Sequence, residues 1–170
     1  MMLDSDTIRA LFSALSEELG RRGVTGEVGL CGGAVMCLVF EARPSTRDVD
    51  GIFEPTREIR EAAAQVGKAL GVPENWLNDA AKGFFLSDPP RQDVLDYPHL
   101  RVWAPTADYM LAMKCVSARF DGHDQDDVLF LVGHLKLRTP EEVFTVIRRY
   151  YPDGAVPAKT RFLIEELLGS

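Results

Sequence analysis

The stretch running from Gly32-Gly33 to Asp48-Val49-Asp50 constrains this chain more than any other. A short apolar run enters the glycine pair, and about two turns of apolar helix follow. The Pro44-Ser45-Thr46-Arg47 turn then delivers two aspartates to the head of another apolar run. Strand side chains alternate faces, so Asp48 and Asp50 share one face while Val49 takes the other. Two carboxylates so placed repel one another unless a metal ion or a ligand lies between them. A pair of this kind suits Mg²⁺ (or Mn²⁺), hard ions that prefer oxygen and often share their shell with phosphates.

At 170 residues the chain is long enough for one domain with a real core, or for one domain with a small helical appendage. Its net charge of −7 argues against coating nucleic acid through bulk electrostatics. Lys136, Arg138, Arg148, Arg149, Lys159 and Arg161 nevertheless share a window with only Glu141, Glu142 and Asp153 as acids. That asymmetry marks either a polyanion-binding side or the solvated faces of surface helices. Cys31, Cys37 and Cys115 sit in apolar stretches without CxxC spacing and read as buried free thiols in a reducing compartment. His99, His123 and His134 show no ligand spacing, so no zinc site is expected. The acidic N-terminus has no signal-type apolar region, and no apolar run approaches membrane-spanning length. A cytoplasmic protein with no membrane partner is expected.

Along the chain, Ile8, Leu11, Phe12, Leu15 and Leu19 predict an amphipathic helix over residues 5–20, ended by Gly20 and Gly23. Residues 24–30 read as a strand, 34–41 as a buried helix ended by Pro44, and 48–53 as the next strand. A helix from Pro55-Thr56 to Leu70 buries Ile59, Ala62, Ala63 and Val66 and closes at Gly71. Pro73-Glu74 reads as the start of a shorter helix carrying Trp76 to Asp79. Residues 83–98 read as loop, with at most a short strand at Val94-Leu95, and 99–103 as a strand. A long helix begins at Pro105-Thr106, with Tyr109, Met113, Val116 and Phe120 as its core stripe. Residues 121–124 turn the chain into a helix through Val128, Leu129, Leu131 and Val132. His123 reads as a turn residue. Thr139, Pro140 and Glu142 form a capping-box start for a helix that buries Val143, Phe144, Ile147 and Tyr151. A final helix spans residues 159–168.

The glycine pair followed by Thr46-Arg47-Asp48-x-Asp50 resembles the nucleotidyltransferase superfamily. Downstream, Lys114-x-x-x-Ala118-Arg119 and then Asp124-x-Asp126-Asp127-Val128 look like the Lys and Asp motifs of minimal nucleotidyltransferases of the AbiEii/MenT toxin type. The resemblance runs from about Leu30 to Tyr151. It implies an α/β (α+β) fold, with a small mixed β-sheet core and flanking helices followed by a C-terminal helical bundle. The core would occupy residues 1–104 and the helical part 105–170, packed on it or continuous with it.

The implied chemistry is transfer of an NMP from an NTP to an acceptor, which in relatives is tRNA, a protein side chain or a small molecule. Gly32 and Gly33 would let backbone N–H groups approach the triphosphate. Asp48 and Asp50 would hold Mg²⁺ against it, and Thr46 and Arg47 would line the same mouth. Lys114 would neutralise phosphate charge, with Asp124 or Asp127 orienting Lys114 or a metal. A toxin-type member would also have a cognate antitoxin.

Each of these residues has a plainer role available. The glycines can be a structural turn, Lys114 a surface lysine, and Asp124, Asp126 and Asp127 acids at a helix N-terminus. The Asn78-Asp79 pair either caps and bridges in the core or lies by the active site. Ala34 stands where many relatives carry a hydroxyl. The third carboxylate of polymerase-type relatives is absent from 99–103, leaving Asp79, Asp93, Asp96 or the helical aspartates to replace it. The alternative is therefore a catalytically inactive protein of the same fold that binds a nucleotide or a partner.

Overall fold

A computed structural model of the chain describes residues 1–85, 88–117 and 122–169, with the side chains at 122 and 123 outside that description. The chain divides into one unit of Met1–Gly83 with Arg91–Pro105, and a second of Phe84–Pro90 with Thr106–Ser170.

In the first unit, β1 (Leu3–Asp4) runs straight into α1 (Ser5–Arg21). Asp4 caps α1 by accepting from the Thr7 N–H at 2.8 Å, which satisfies one of the otherwise orphaned first-turn donors. The predicted stripe of Ile8, Leu11, Phe12, Leu15 and Leu19 is fully buried. The chain continues through β2 (Gly26–Cys31), α2 (Gly32–Leu38), β3 (Ser45–Thr46), β4 (Val49–Glu54), α3 (Thr56–Leu70), β5 (Leu77–Asn78), β6 (Arg91–Tyr97) and β7 (Leu100–Pro105). Five strands form a mixed sheet in the order β5-β4-β2-β7-β6, and β1 pairs separately with β3. β2 lies antiparallel to β4 and parallel to β7. The fold class expected from the sequence is the one observed.

The core of this unit lies where α1 and α3 pack together. Ile59, Ala62, Ala63 and Val66 face inward, and Gly71 ends α3 in the left-handed conformation at φ +74°. Trp76 is sealed beneath them. Its ring meets Phe12 edge-on at 5.5 Å, and its Nε1–H donates to the Ala63 carbonyl at 2.8 Å.

Three expectations for this unit are corrected. Residues 73–79 form a turn and then β5, not a helix. The Trp76 carbonyl accepts from Val49 N–H at 2.7 Å, and Leu77-Asn78 extends the sheet parallel to β4. Pairing with a strand distant in sequence outweighs the local helix-start signal of Pro73-Glu74. The expected loop over 83–98 holds the seven-residue strand β6. β6 is an exposed, charged edge with a register irregularity at Asp93/Leu95, and its apolar pattern is correspondingly faint. α2 is also displaced relative to the predicted 34–41, running over Gly32–Leu38 instead.

The second unit contains α4 (Ala107–Ser117), α5 (Gly122–His134), α6 (Pro140–Arg148) and α7 (Ala158–Leu168). α4 is buried on almost every side rather than along one stripe: Tyr109, Met110, Leu111, Ala112, Met113 and Cys115 are all inside. Val116 is partly exposed, and Phe120, Ala118, Arg119 and Asp121 lie outside the described residues. The expected turn at His123 is already helical backbone. Thr139 caps α6 as predicted, accepting from Glu142 N–H at 3.2 Å. Glu142 reaches back one residue further than a capping box requires, to Arg138 N–H at 2.7 Å. Val143, Phe144, Ile147 and Tyr151 are buried. The Thr160 hydroxyl fastens α7 to α4 through the Cys115 carbonyl at 2.9 Å. All three cysteines are buried, and burial raises the Cys115 thiol to about 12, so it stays protonated at neutral pH. Among the described residues no helix is long and apolar enough to cross a membrane.

The Trp76 packing yields a direct expectation. Trp76→Ala opens a cavity beside Phe12 and loses the bond to Ala63, and should destabilise the chain by about 3–5 kcal/mol in chemical denaturation followed by circular dichroism. A loss below about 1 kcal/mol would show that the Trp76 site collapses freely.

Candidate functional site

Burial alternates along residues 48–54, with Val49, Gly51 and Phe53 inside and Asp48, Asp50 and Ile52 partly exposed. The expected shared face of Asp48 and Asp50 is therefore the accessible one. Cys31, the last residue of β2, sits opposite Asp50 in the antiparallel register. The next residue, Gly32, has φ +64°, a conformation glycine adopts without steric penalty. A Cβ on Gly32 would stand 3.2 Å from Asp50 Oδ2. A Cβ on Gly33 would stand 2.6 Å from Thr46 Oγ1 and 2.9 Å from Arg43 Nη1. The glycine pair thus brings backbone close to one carboxylate, one hydroxyl and one guanidinium at once.

Thr46 is buried, and its hydroxyl donates to the Asp48 carbonyl at 3.2 Å, pinning the bend that sets up the two aspartates. The β1–β3 ladder ties Ser45 and Thr46 to Asp4 and Leu3. Arg47 is exposed. On the other side of β4, Asn78 stands in register with Asp50. Its Oδ1 accepts from Ala80 N–H at 3.2 Å. Asp79 is committed to an ion pair with Arg60 of α3 at 2.8 Å, which anchors the end of β5. The structure thus collects Gly32, Gly33, Thr46, Asp48, Asp50 and Asn78 at one rim of the sheet. Asp79 has a bracing partner there.

Lys114, Asp124 and Asp127 belong to the second unit and contact one another. Lys114 Nζ lies 3.1 Å from Asp124 Oδ1 and 2.7 Å from Asp127 Oδ2. Asp127 is buried and the Lys114 side chain is only 9% exposed, so the surface-lysine reading is excluded. Asp126 is exposed. In the same unit, Asp108 accepts from Thr106 Oγ1 and Tyr150 OH, each at 2.5 Å, and from Tyr109 N–H at 2.9 Å. Burial alone would raise its carboxyl, but these bonds and Arg149 at 3.7 Å hold it below the usual range. Burial and Asp108 push the Tyr150 phenol up to about 12, so it remains the donor.

The basic window is less cationic than its composition suggests. Arg148 pairs with Glu141 at 2.5 Å, Arg149 pairs with Asp108, and Arg161 approaches Asp153 at 4.0 Å.

Among the described residues no group of three or more His, Cys, Asp or Glu is arranged to hold a metal ion. Mg²⁺ is ordinarily held by one or two carboxylates completed by water and phosphate oxygens, so Asp48 and Asp50 are a sufficient protein share. The close cradle at Gly32, which a Cβ would crowd, fits a ligand brought against Asp50. The residue that the sequence reading passed over is Arg43. Its signal was a cation inside the turn facing the glycine pair, but nothing local distinguishes it from Arg47.

Two expectations follow. Lys114→Met removes the cation paired with buried Asp127 and should destabilise the chain by about 3 kcal/mol or more in urea denaturation. Because the folded Asp108 carboxyl lies below the ordinary carboxylate range, its stabilising contribution is complete above that range. It is lost as pH falls through the lowered folded value. Asp108→Asn should therefore flatten the acid limb of a stability–pH curve relative to wild type.

No family model matches the chain, and no curated protein matches it. Among solved structures, an antigenic nucleotidyltransferase-like protein from Paracoccidioides brasiliensis aligns with a TM-score of 0.50 and 17% identity, over 88% of this chain and 89% of that one. At that identity the likeness is one of fold, and the fold of this chain is nucleotidyltransferase-like.

Proposed function

We propose that the chain is a metal-dependent nucleotidyltransferase that moves an NMP from an NTP to a tRNA, protein or small-molecule acceptor. The observation that carries the reading is the glycine pair held against Asp50, Thr46 and Arg43 at the rim where Asp48 and Asp50 share an accessible face. Asp48 and Asp50 are the residues that would hold Mg²⁺ or Mn²⁺. When bound, the ion would supply charge neutralisation at the phosphates. The Gly32-Gly33 backbone would accommodate the triphosphate, flanked by Thr46, Arg47 and Asn78.

The acceptor oxygen would attack the α-phosphorus in line as the bond to the bridging oxygen breaks and pyrophosphate leaves. Positioning and electrostatics suffice for such a displacement, with no covalent enzyme intermediate. Lys114, Asp124 and Asp127 enter this reading through the resemblance of their motif. On the same ground the chain would be a toxin with a cognate antitoxin.

A second reading has its own support. Lys114 is already engaged by two carboxylates, and Ala34 offers no hydroxyl after the glycines. Both features suit a protein of this fold that binds a nucleotide or partner without catalysis.

The test uses the full chain with each α-³²P-labelled NTP, Mg²⁺ or Mn²⁺, and tRNA or cell lysate. The enzyme reading expects label transfer that falls at least about 100-fold in Asp48→Ala and Asp50→Ala. Metal-dependent nucleotide binding without transfer favours the second reading. Neither transfer nor metal-dependent binding with any of the four nucleotides sinks both. Lys114 variants are a poor control here, because their instability would mimic lost activity.

A further inference from the structure

Phe162 lies at the middle of α7 and is 70% exposed, although the same helix buries Thr160 and Ile164 on its opposite side. The bond from Thr160 to the Cys115 carbonyl fixes that inner side against α4. Helical spacing then sets Lys159, Phe162 and Glu166 in one outward line, about a turn apart, and all three are exposed. Leu163, next to Phe162, and Leu167 are partly exposed. Leu167 shares a shallow hollow with Leu129 of α5, which is itself 42% exposed. An apolar strip thus runs from Phe162 through Leu163 and Leu167 to α5.

The charges of α7 oppose its own dipole. α1, α3 and α6 each place an acid in the first turn and a base in the last, as the macrodipole favours. α7 does the reverse, with Lys159 and Arg161 in its first turn and Glu165 and Glu166 toward its end. Arg161 is engaged within the unit, over the Phe144 ring at 5.1 Å and 4.0 Å from Asp153. Among the described residues Lys159, Glu165 and Glu166 have no ion-pair partner to offset this reversal.

A surface that joins a copy of itself across a two-fold axis must be self-complementary. Turned antiparallel about a point between Phe162 and Leu163, α7 meets that condition. Lys159 then faces the partner's Glu166, Glu166 faces the partner's Lys159, and Phe162 packs on the partner's Leu163. Each basic first turn also comes to the negative end of the opposing dipole, where a cation is favoured. We infer that the outer face of α7 joins a second copy of this chain as an antiparallel, two-fold helix pair. One helix face is small for a specific interface, so the dimer is a weak one. The inference is independent of the nucleotide reading.

Sedimentation velocity of the full chain at concentrations from about 5 to 500 µM tests this. Wild type should pass from monomer to dimer across that range at low salt, and at higher concentration as salt rises. Phe162→Asp should raise the dimer Kd about tenfold or more, with the far-ultraviolet circular dichroism of wild type retained. Lys159→Glu makes the outward line acidic at both ends, and Glu166→Lys makes it basic at both ends. Each alone should dimerise about tenfold less well than wild type. An equimolar mixture of the two should recover dimer, because every facing pair is again opposite in charge. A wild-type chain that stays monomeric throughout would overturn the proposal. So would a dimer that ignores Phe162→Asp, or a mixture of the charge variants that associates no better than either alone.

Discussion

The close approach of the Gly32-Gly33 backbone to Asp50, Thr46 and Arg43 is the constraint on which the first unit depends. It requires that β2 end opposite Asp50, that Gly32 accept a positive φ, and that the chain return with Thr46 packed against Gly33. The β1–β3 ladder and the bond from Thr46 to the Asp48 carbonyl keep that return segment in place. Side chains at either glycine would separate the turn from the aspartate rim. The sheet that carries the rim is in turn supported by α1, α3 and the buried Trp76, which links α3 to the start of β5. The polar rim is thus built at the edge of a well-packed core, where side chains are accessible and the backbone beneath them is held.

The Lys114 cluster has different physics. A largely buried lysine and a buried aspartate each carry a heavy desolvation cost, which their mutual attraction offsets only with good geometry. Asp124 supplies a second acceptor at 3.1 Å, so the ammonium is well satisfied. Such a cluster is costly to break by removing one partner, whatever else it does. Charge in the second unit is handled similarly elsewhere, with Asp108 gathering donors from Thr106, Tyr109 and Tyr150 beside Arg149.

Electrostatics also sort the surroundings of the proposed nucleotide site. The cavity beside Arg43 is a prominent hollow of the first unit, yet its carboxylates make it a poor place for phosphate. The glycine rim places backbone beside Asp50 and Thr46, with Asp48 partly exposed next to them. Concavity alone is therefore a weaker guide here than charge. Ion pairing likewise reduces the excess positive charge that composition assigns to residues 136–161.

Elements set by local pattern were legible in the sequence. The apolar stripes and stop signals of α1 and α3 and the Thr139 cap of α6 encode structure within a few residues of themselves. The one-residue spacing of Asp48 and Asp50 likewise anticipated the alternating burial along β4, because strand alternation is a local rule. Only the tertiary structure made strands of β5 and β6, since an edge strand takes its hydrogen bonds from a distant partner and needs little apolar pattern of its own. It also decided that Asp79 braces α3, that Lys114 is buried between two carboxylates, and that Arg43 stands against Gly33. Those outcomes depend on which remote residues share a small volume, and chain-local periodicity carries no record of that.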